Sequence, residues 1–338
     1  MNDAPKYTKF ALCREMMESA SIIRNFKIQN TDNVVRQINE TKKLFFTGEG
    51  SSRLFPAKNA IANAMKLGLG LTLMTEGSYQ AGEYELGDYV LFAASNSGRT
   101  KETISAFNTL KEDGHQKLFG LTANKNTKLE EIANQTFVLS CGSEDAIAAT
   151  KSSIEQGLFY QALLWQVAGK SFDEKLDELA DAFEEALGVQ IPAEITGAIT
   201  KAQTVFFAGR NDGVAEELTV KVNEIVRKKS DFLEGTSYMH GIQEVMHQSD
   251  VVILIDPYKS ELEKTKEIML GQVGLKVFAI STEDTIFPTI KVKAVDGLTN
   301  FVYLAAGWNI LVEAGISLGI NLDETERAQK VGNVFEGN

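Results

Sequence analysis

Two cysteines, Cys13 and Cys141, in 338 residues are too few for a disulfide framework and lack the spacing of a zinc or redox motif. A reducing, cytoplasmic setting is expected. Basic charge is also short: 34 Lys plus Arg stand against 46 Asp plus Glu, a formal net charge of −12. That balance suits neither a nucleic-acid backbone nor an anionic membrane surface, although a local basic pocket for an anion stays open. No run approaches the roughly 18 apolar residues of a membrane span. The opening Met1-Asn2-Asp3-Ala4-Pro5 has no basic region followed by an apolar stretch, so neither secretion nor membrane insertion is expected. Absent too are Gly-x-x-x-x-Gly-Lys-Ser/Thr and a Gly-x-Gly-x-x-Gly after a strand, which removes most support for nucleotide-dependent chemistry.

What is present reads as an ordinary globular chain, 43% hydrophobic and 24% charged, long enough at about 150 residues per domain for two domains. Short apolar runs, Leu44-Phe45-Phe46, Leu71 to Met74, Tyr89 to Ala94, Leu118 to Leu121 and Phe137 to Leu139, fit strands buried on both faces. Between them lie segments of helical periodicity such as Lys101 to Asp113, and the alternation predicts a parallel α/β sheet. Two long helical stretches, about Ala146 to Ala168 and Phe172 to Leu187, precede a second series with Val205 to Ala208, Val251 to Ile255 and Val277 to Ile280 as its clearest strands. Gly188 to Pro192 reads as the junction. Phe46-Thr47-Gly48-Glu49-Gly50 and Phe207-Ala208-Gly209-Arg210-Asn211-Asp212-Gly213 are each a strand, a glycine turn and a helix, so the halves repeat.

Two loops carry the chemistry. Gly48-Glu49-Gly50-Ser51-Ser52 lies where a strand ends and a helix starts, where unpaired amides, the helix dipole and hydroxyls attract an anion. Alone it reads equally well as a turn with a serine cap. Ser95-Asn96-Ser97-Gly98-Arg99-Thr100 gathers three hydroxyls and an amide at the end of another strand. Two such loops in one parallel sheet can face one crevice, which makes a shared phosphate site the better reading.

These residues, together with Glu144-Asp145-Ala146-Ile147-Ala148-Ala149-Thr150-Lys151, resemble the ordered signatures of the sugar isomerase (SIS) family, and most of all the isomerase half of glucosamine-6-phosphate synthase and its stand-alone relatives. The likeness runs from about residue 25 to the C-terminus. It implies two tandem flavodoxin-like SIS domains, αβα sandwiches with parallel sheets, over 25–170 and 188–338, with an N-terminal helix and a C-terminal tail, commonly as a homodimer. Carried over by motif position, Ser52, Ser95, Asn96, Ser97 and Thr100 would bind the phosphate, and Gly50, Ser51, Ile147 and Ala149 the sugar; the family often has serine at the last position. Glu224, in Lys221-Val222-Asn223-Glu224, would move a proton between C1 and C2, and His240, in Met239-His240-Gly241, would assist ring opening. Ile242 stands where the family usually has proline, and Ser237 where it has glutamate. The tail Leu322-Asp323-Glu324-Thr325-Glu326-Arg327-Ala328-Gln329-Lys330-Val331 matches the synthase tail, in which a lysine reaches the open-chain carbonyl; Lys330 holds that place.

His247 and Glu244 read as a surface or supporting pair without a third metal ligand, and His115 as structural. No metal or organic cofactor is expected. The synthases begin with a glutaminase domain whose N-terminal cysteine is the nucleophile; here the chain enters the SIS region almost at once, so glutamine-derived ammonia is not expected. The reading that follows is an isomerase-type enzyme for a sugar 6-phosphate, either a deaminase of an amino sugar 6-phosphate or a deglycase of a 6-phosphofructose–amine adduct. The alternative is a regulatory SIS module that binds a phosphosugar without turning it over; no DNA-binding extension or basic arm is visible in residues 1–30.

Overall fold

Among the described residues the apolar runs, with two more polar edge segments, form ten parallel-paired strands in two five-stranded sheets. In the first sheet, β1 (Lys43–Gly48), β2 (Thr72–Glu76), β3 (Val90–Ala94), β4 (Leu118–Thr122) and β5 (Gln135–Val138) take the order β2-β1-β3-β4-β5. In the second, β6 (Thr204–Gly209), β7 (Lys229–Glu234), β8 (Val251–Ile255), β9 (Lys276–Ser281) and β10 (Thr289–Lys291) take the matching order β7-β6-β8-β9-β10. This is the flavodoxin-like order, used twice, as the repeated strand, glycine turn and helix implied. The computed structural model describes residues 1–330 and 332–336; Val331, the last residue of the tail motif, Gly337 and Asn338 lie outside the described residues. The helices used below are α1 (Ala11–Asn25), α2 (Leu54–Lys66), α3 (Lys101–Glu112), α4 (Lys151–Val167), α5 (Leu176–Gly188), α6 (Val214–Lys221) and α7 (Thr299–Ser317).

The chain divides into two compact units. One comprises Ile22–Asp145, Ala149–Leu176 and the chain from Arg327 on, and carries the first sheet. The other comprises Met1–Ser21, Ala146–Ala148 and Asp177–Glu326, and carries the second. The changeover thus falls at Leu176 and Asp177, and the last tail residues group with the first sheet.

In the first unit every residue of β3 and β4 is buried, as strands covered by helices on both faces require. Side chains from that sheet and α4 form an aromatic layer: Phe46 and Tyr160 lie 4.5 Å apart, Phe92 and Phe119 5.3 Å, and Phe137 and Phe159 4.8 Å between ring centroids. Helix α4 is buried from Ser152 through Trp165, so it has no apolar stripe; it is a core helix, and several of its polar side chains are paired. Asn59 of α2 donates to Gln161 at 2.8 Å, and Trp165 donates to Asn63 at 2.9 Å. The helical stretch expected from Ala146 begins only at Lys151, leaving 146–150 irregular.

In the second unit α7 is buried from Phe301 through Gly315 apart from Glu313. A Cβ on Gly307 would lie 2.4 Å from Leu218 of α6, so glycine lets the two helices close together. The tail does not leave this unit at Leu322. Leu322 is buried, and the Asp323 carboxylate accepts from the amides of Ala11 and Leu12 at 2.7 and 2.9 Å, capping α1. Strands β7 and β10 were not expected. The first is an edge strand, Lys229-Ser230-Asp231-Phe232-Leu233-Glu234, in which only Leu233 is buried, and the second has three residues.

Candidate functional site

Gly48 and Ala94 are register partners at the carboxyl ends of β1 and β3, where strand order reverses and open α/β sheets leave a crevice. Both hydroxyl loops open from this point. A Cβ on Gly48 would lie 2.8 Å from the Ala94 carbonyl, so glycine is what lets the loops start side by side. Gly50, Ser51 and Ser52 form a single 3₁₀ turn, and the Ser51 carbonyl accepts from Ser153 of α4 at 3.2 Å. Glu49 turns away to accept from the Ser78 amide at 2.8 Å, which takes its carboxylate into a backbone bond.

The second loop is tightly specified. Gly98 has φ +62°, and a Cβ there would lie 2.4 Å from that of Thr127. Ser95 is buried, and its hydroxyl bonds that of Thr100 at 2.9 Å, closing the loop at its neck. Ser97 accepts from the Arg99 amide at 3.2 Å. The Asn96 carbonyl is held by Thr122 Oγ1 and Asn124 Nδ2 at 3.0 and 2.8 Å. In its side chain Nδ2 donates to Glu144 at 2.6 Å, and Oδ1 is a buried acceptor without a hydrogen-bond partner. A free acceptor suits a ligand hydroxyl better than a phosphate oxygen.

Ile147 and Ala149 lie half-buried in the irregular segment before α4, with Ile147 grouped with the second-sheet unit and Ala149 with the first. At the start of that segment stands Glu144, whose side chain is fully buried and lies 3.3 Å from the Lys330 ammonium. Burial pushes this carboxyl up, but the Lys330 charge and the donors of Thr150 and Ser152 outweigh it and hold the group below the ordinary carboxylate value.

In the second unit Glu224 lies in a π-helical turn, Val222–Val226, that follows α6; such turns widen a helix locally and re-aim its side chains. Lys221, wholly buried, stands between two carboxylates, 3.1 Å from the equally buried Glu217 and 2.7 Å from Glu224. Burial lowers the Lys221 amine, yet the two carboxylates outweigh it and raise it above the ordinary lysine value. A buried cation flanked in this way fixes the position of the Glu224 side chain. Sequence reasoning singled out Glu224 but gave neither Lys221 nor Glu217 a role.

His240 is exposed at the end of the 3₁₀ turn Ser237–Met239, one strand beyond Glu224 in the chain, since β7 separates them. The turn is anchored by Tyr238, buried with its hydroxyl 2.9 Å from Thr265 Oγ1, and by Met239 and Ile242, which pack on the core. Ile242 therefore holds the loop by packing. Of the other histidines, His115 is buried between the Leu86 carbonyl and the Lys117 amide and is lowered by burial, and His247 bonds Ser249 at 2.8 Å. Among the described residues no His, Cys, Asp or Glu cluster could hold a metal ion, and no helix is long and apolar enough to cross a membrane.

No family model matches the chain. In sequence it is 24% identical to the glutamine–fructose-6-phosphate aminotransferase (isomerizing) of Caulobacter vibrioides, over 67% of this chain and 40% of that protein. The chain spans about half or less of the length of the curated relatives it matches, and the homologous part is their isomerase (SIS) half. In structure it resembles the C-terminal domain of the Francisella tularensis glucosamine-fructose-6-phosphate aminotransferase (TM-score 0.76, 16% identity, 95% of this chain and 100% of that one). It also resembles glucosamine-6-phosphate deaminase from Thermotoga maritima (TM-score 0.74, 20% identity, 96% and 100%). A third likeness is to tagatose-6-phosphate ketose/aldose isomerase from Escherichia coli (TM-score 0.79, 15% identity, 96% and 98%).

Proposed function

We propose that this chain, which has the tandem SIS fold and is homologous to the isomerase half of the aminotransferases, is a phosphosugar isomerase-type enzyme that moves a proton between C1 and C2 of an amino sugar 6-phosphate or a 6-phosphofructose–amine adduct and releases the amine. The observation that carries the reading is the pairing of Gly48 with Ala94, which starts both hydroxyl-rich loops at the switch point of one sheet. Ser52, Ser95, Ser97 and Thr100 with the adjoining amides bind the phosphate there, and the unpartnered Oδ1 of Asn96 accepts from a sugar hydroxyl. Glu224, held in place by Lys221, takes the proton from one carbon and returns it to the other; His240 exchanges the proton of the ring oxygen; Lys330 engages the open-chain carbonyl.

The test is a panel of hexosamine 6-phosphates and fructosamine 6-phosphates, assayed for released amine and for exchange of the C1 or C2 hydrogen with solvent. Turnover of one member with exchange is the expected result. Tight binding of several members without exchange in any would transfer the reading to a phosphosugar-binding regulatory protein.

A further inference from the structure

Glu144 does more than an ordinary helix cap. Its carboxylate accepts from the Thr150 amide at 2.8 Å, Thr150 Oγ1 at 3.2 Å, the Ser152 amide at 3.1 Å and Ser152 Oγ at 2.8 Å, and these four bonds fasten the start of α4. Two further contacts have no capping role. Asn96 of the second hydroxyl loop donates to it at 2.6 Å, and Lys330 of the tail at 3.3 Å. One buried anion therefore touches three separate segments: the loop at the end of β3, the start of α4, and the tail.

Beyond Lys330 the tail lies against the same loop. Val334 pairs with Thr100 as an isolated antiparallel bridge, the Asn333 carbonyl accepts from the Lys101 amide at 3.0 Å, and the Phe335 amide donates to the Arg99 carbonyl at 3.0 Å. Asn333 Nδ2 adds a bond to Glu102 at 2.8 Å, and Phe335 packs on the core cluster of Phe45, Leu91 and Ile104. The hydroxyl loop is thus gripped through Asn96 on one part and through Arg99 to Lys101 on another, and both grips run to the tail.

We propose that Glu144 is a positioning residue that latches the tail onto the Ser95–Thr100 loop, by pairing with Lys330 while holding Asn96, and so couples occupation of that loop to docking of the tail. The physical reason is that a buried carboxylate with so many donors stays ionised and calls for a cation, and Lys330 supplies it. Because Asn96 and Lys330 share one acceptor, whatever steadies the loop steadies the latch, and the reverse holds by linkage. The coupling rests on the reading of this loop as the phosphate site; the latch itself does not.

The test is hydrogen–deuterium exchange of the full chain, read at peptides covering 99–103 and 332–336, which contain the Lys101 and Phe335 amides. Glu144→Gln and Lys330→Gln should each speed exchange at both peptides by about tenfold or more, as loss of a hydrogen bond to a charged group implies. Lys330→Arg should keep most of the protection, and the double variant should exchange no faster than Glu144→Gln alone, because the pair with Lys330 is already lost there. A role for Glu144 confined to capping α4 would leave Lys330→Gln at the wild-type rate, and that result overturns the latch even if Glu144→Gln fails to fold. Saturating fructose 6-phosphate should slow the same amides in the wild type and not in Lys330→Gln. Equal slowing in both overturns the coupling, whereas no effect on the wild type with the latch variants behaving as stated counts against the phosphosugar reading and leaves the latch in place.

Discussion

Replacing Lys221 by Met keeps the length of the side chain and removes its charge, leaving Glu217, whose side chain is wholly buried, with no cation at 3.1 Å. Glu224, 31% exposed, can recover solvation; Glu217 cannot. Breaking a buried pair by removing one partner costs about 3–5 kcal/mol, and at roughly 2–4 °C per kcal/mol for a unit of this size the melting temperature should fall by about 6–20 °C. The pH dependence follows from the raised amine. Burial opposes its charge, the carboxylates of Glu217 and Glu224 prevail, and the folded amine holds its proton beyond the unfolded value. Such a group stabilises fully below the ordinary lysine range and loses that contribution only as pH rises through the folded value, so the wild-type term is flat from about pH 6 to 9. In the variant, lowering the pH into the range where carboxylates bind protons neutralises the stranded group and the deficit shrinks. Adding Glu217→Gln to Lys221→Met should restore most of the loss, since a neutral pair needs no cation. Thermal melts of the four proteins at pH 7.5 and pH 5 check this. A deficit below about 1 kcal/mol at pH 7.5, or one equally large at pH 5, would refute the account of a buried cation serving two carboxylates.

Gly98→Ala places a Cβ 2.4 Å from that of Thr127 at φ +62°, so stability should fall by about 2 kcal/mol or more in denaturant melts, with phosphosugar affinity falling too. The pair Ser95→Ala and Ser97→Ala removes neutral donors without opening the core, and calorimetry should show sugar 6-phosphate binding weakened at least tenfold at an unchanged fold; unaltered affinity would remove these residues from the phosphate site. Glu224→Gln should cut exchange of the C1 or C2 hydrogen by about 10²–10⁴ while binding persists, and wild-type exchange in that variant would end the proposed mechanism. Truncation after Glu326 should abolish turnover and, because it strands the buried Glu144 without Lys330, also lower the melting temperature, whereas truncation after Leu322 additionally strips the Asp323 cap from Ala11 and Leu12 and should cost about 0.5–2 kcal/mol more.

The central strands were legible because a strand covered on both faces must be apolar throughout: Val90 to Ala94 and Val251 to Ile255 are buried at every position. The edges of the second sheet were not, because an edge strand covered on one side carries polar residues. Lys229 to Glu234 has a lysine, a serine and an aspartate in its first three places and reads as a loop. The start of α4 was placed too early for a related reason. Ala146-Ile147-Ala148-Ala149 suits a helix by propensity, but Glu144 takes the Thr150 and Ser152 amides and fixes the first turn after that run. Local preference yielded to a buried carboxylate six residues away from its first partner.

That carboxylate also marks where reading a site from sequence stops. Glu144 and Lys221 both stood inside motifs quoted for other residues, the first for Ile147 and Ala149 and the second for Glu224. Glu217, Lys221 and Glu224 fall at i, i+4 and i+7, the spacing of a charged stripe along one helix face, while Val214, Ala215, Leu218, Val222 and Ile225 supply an apolar face beside it. The pattern is that of a helix with one side in water, and periodicity holds nothing that separates a face turned to solvent from one covered by a further layer. Only burial makes the distinction. An exposed Glu-Lys-Glu stripe contributes a few tenths of a kcal/mol per pair, whereas the same stripe with Lys221 and Glu217 fully enclosed becomes a charge network whose removal costs several kcal/mol and whose open end is the Glu224 carboxylate.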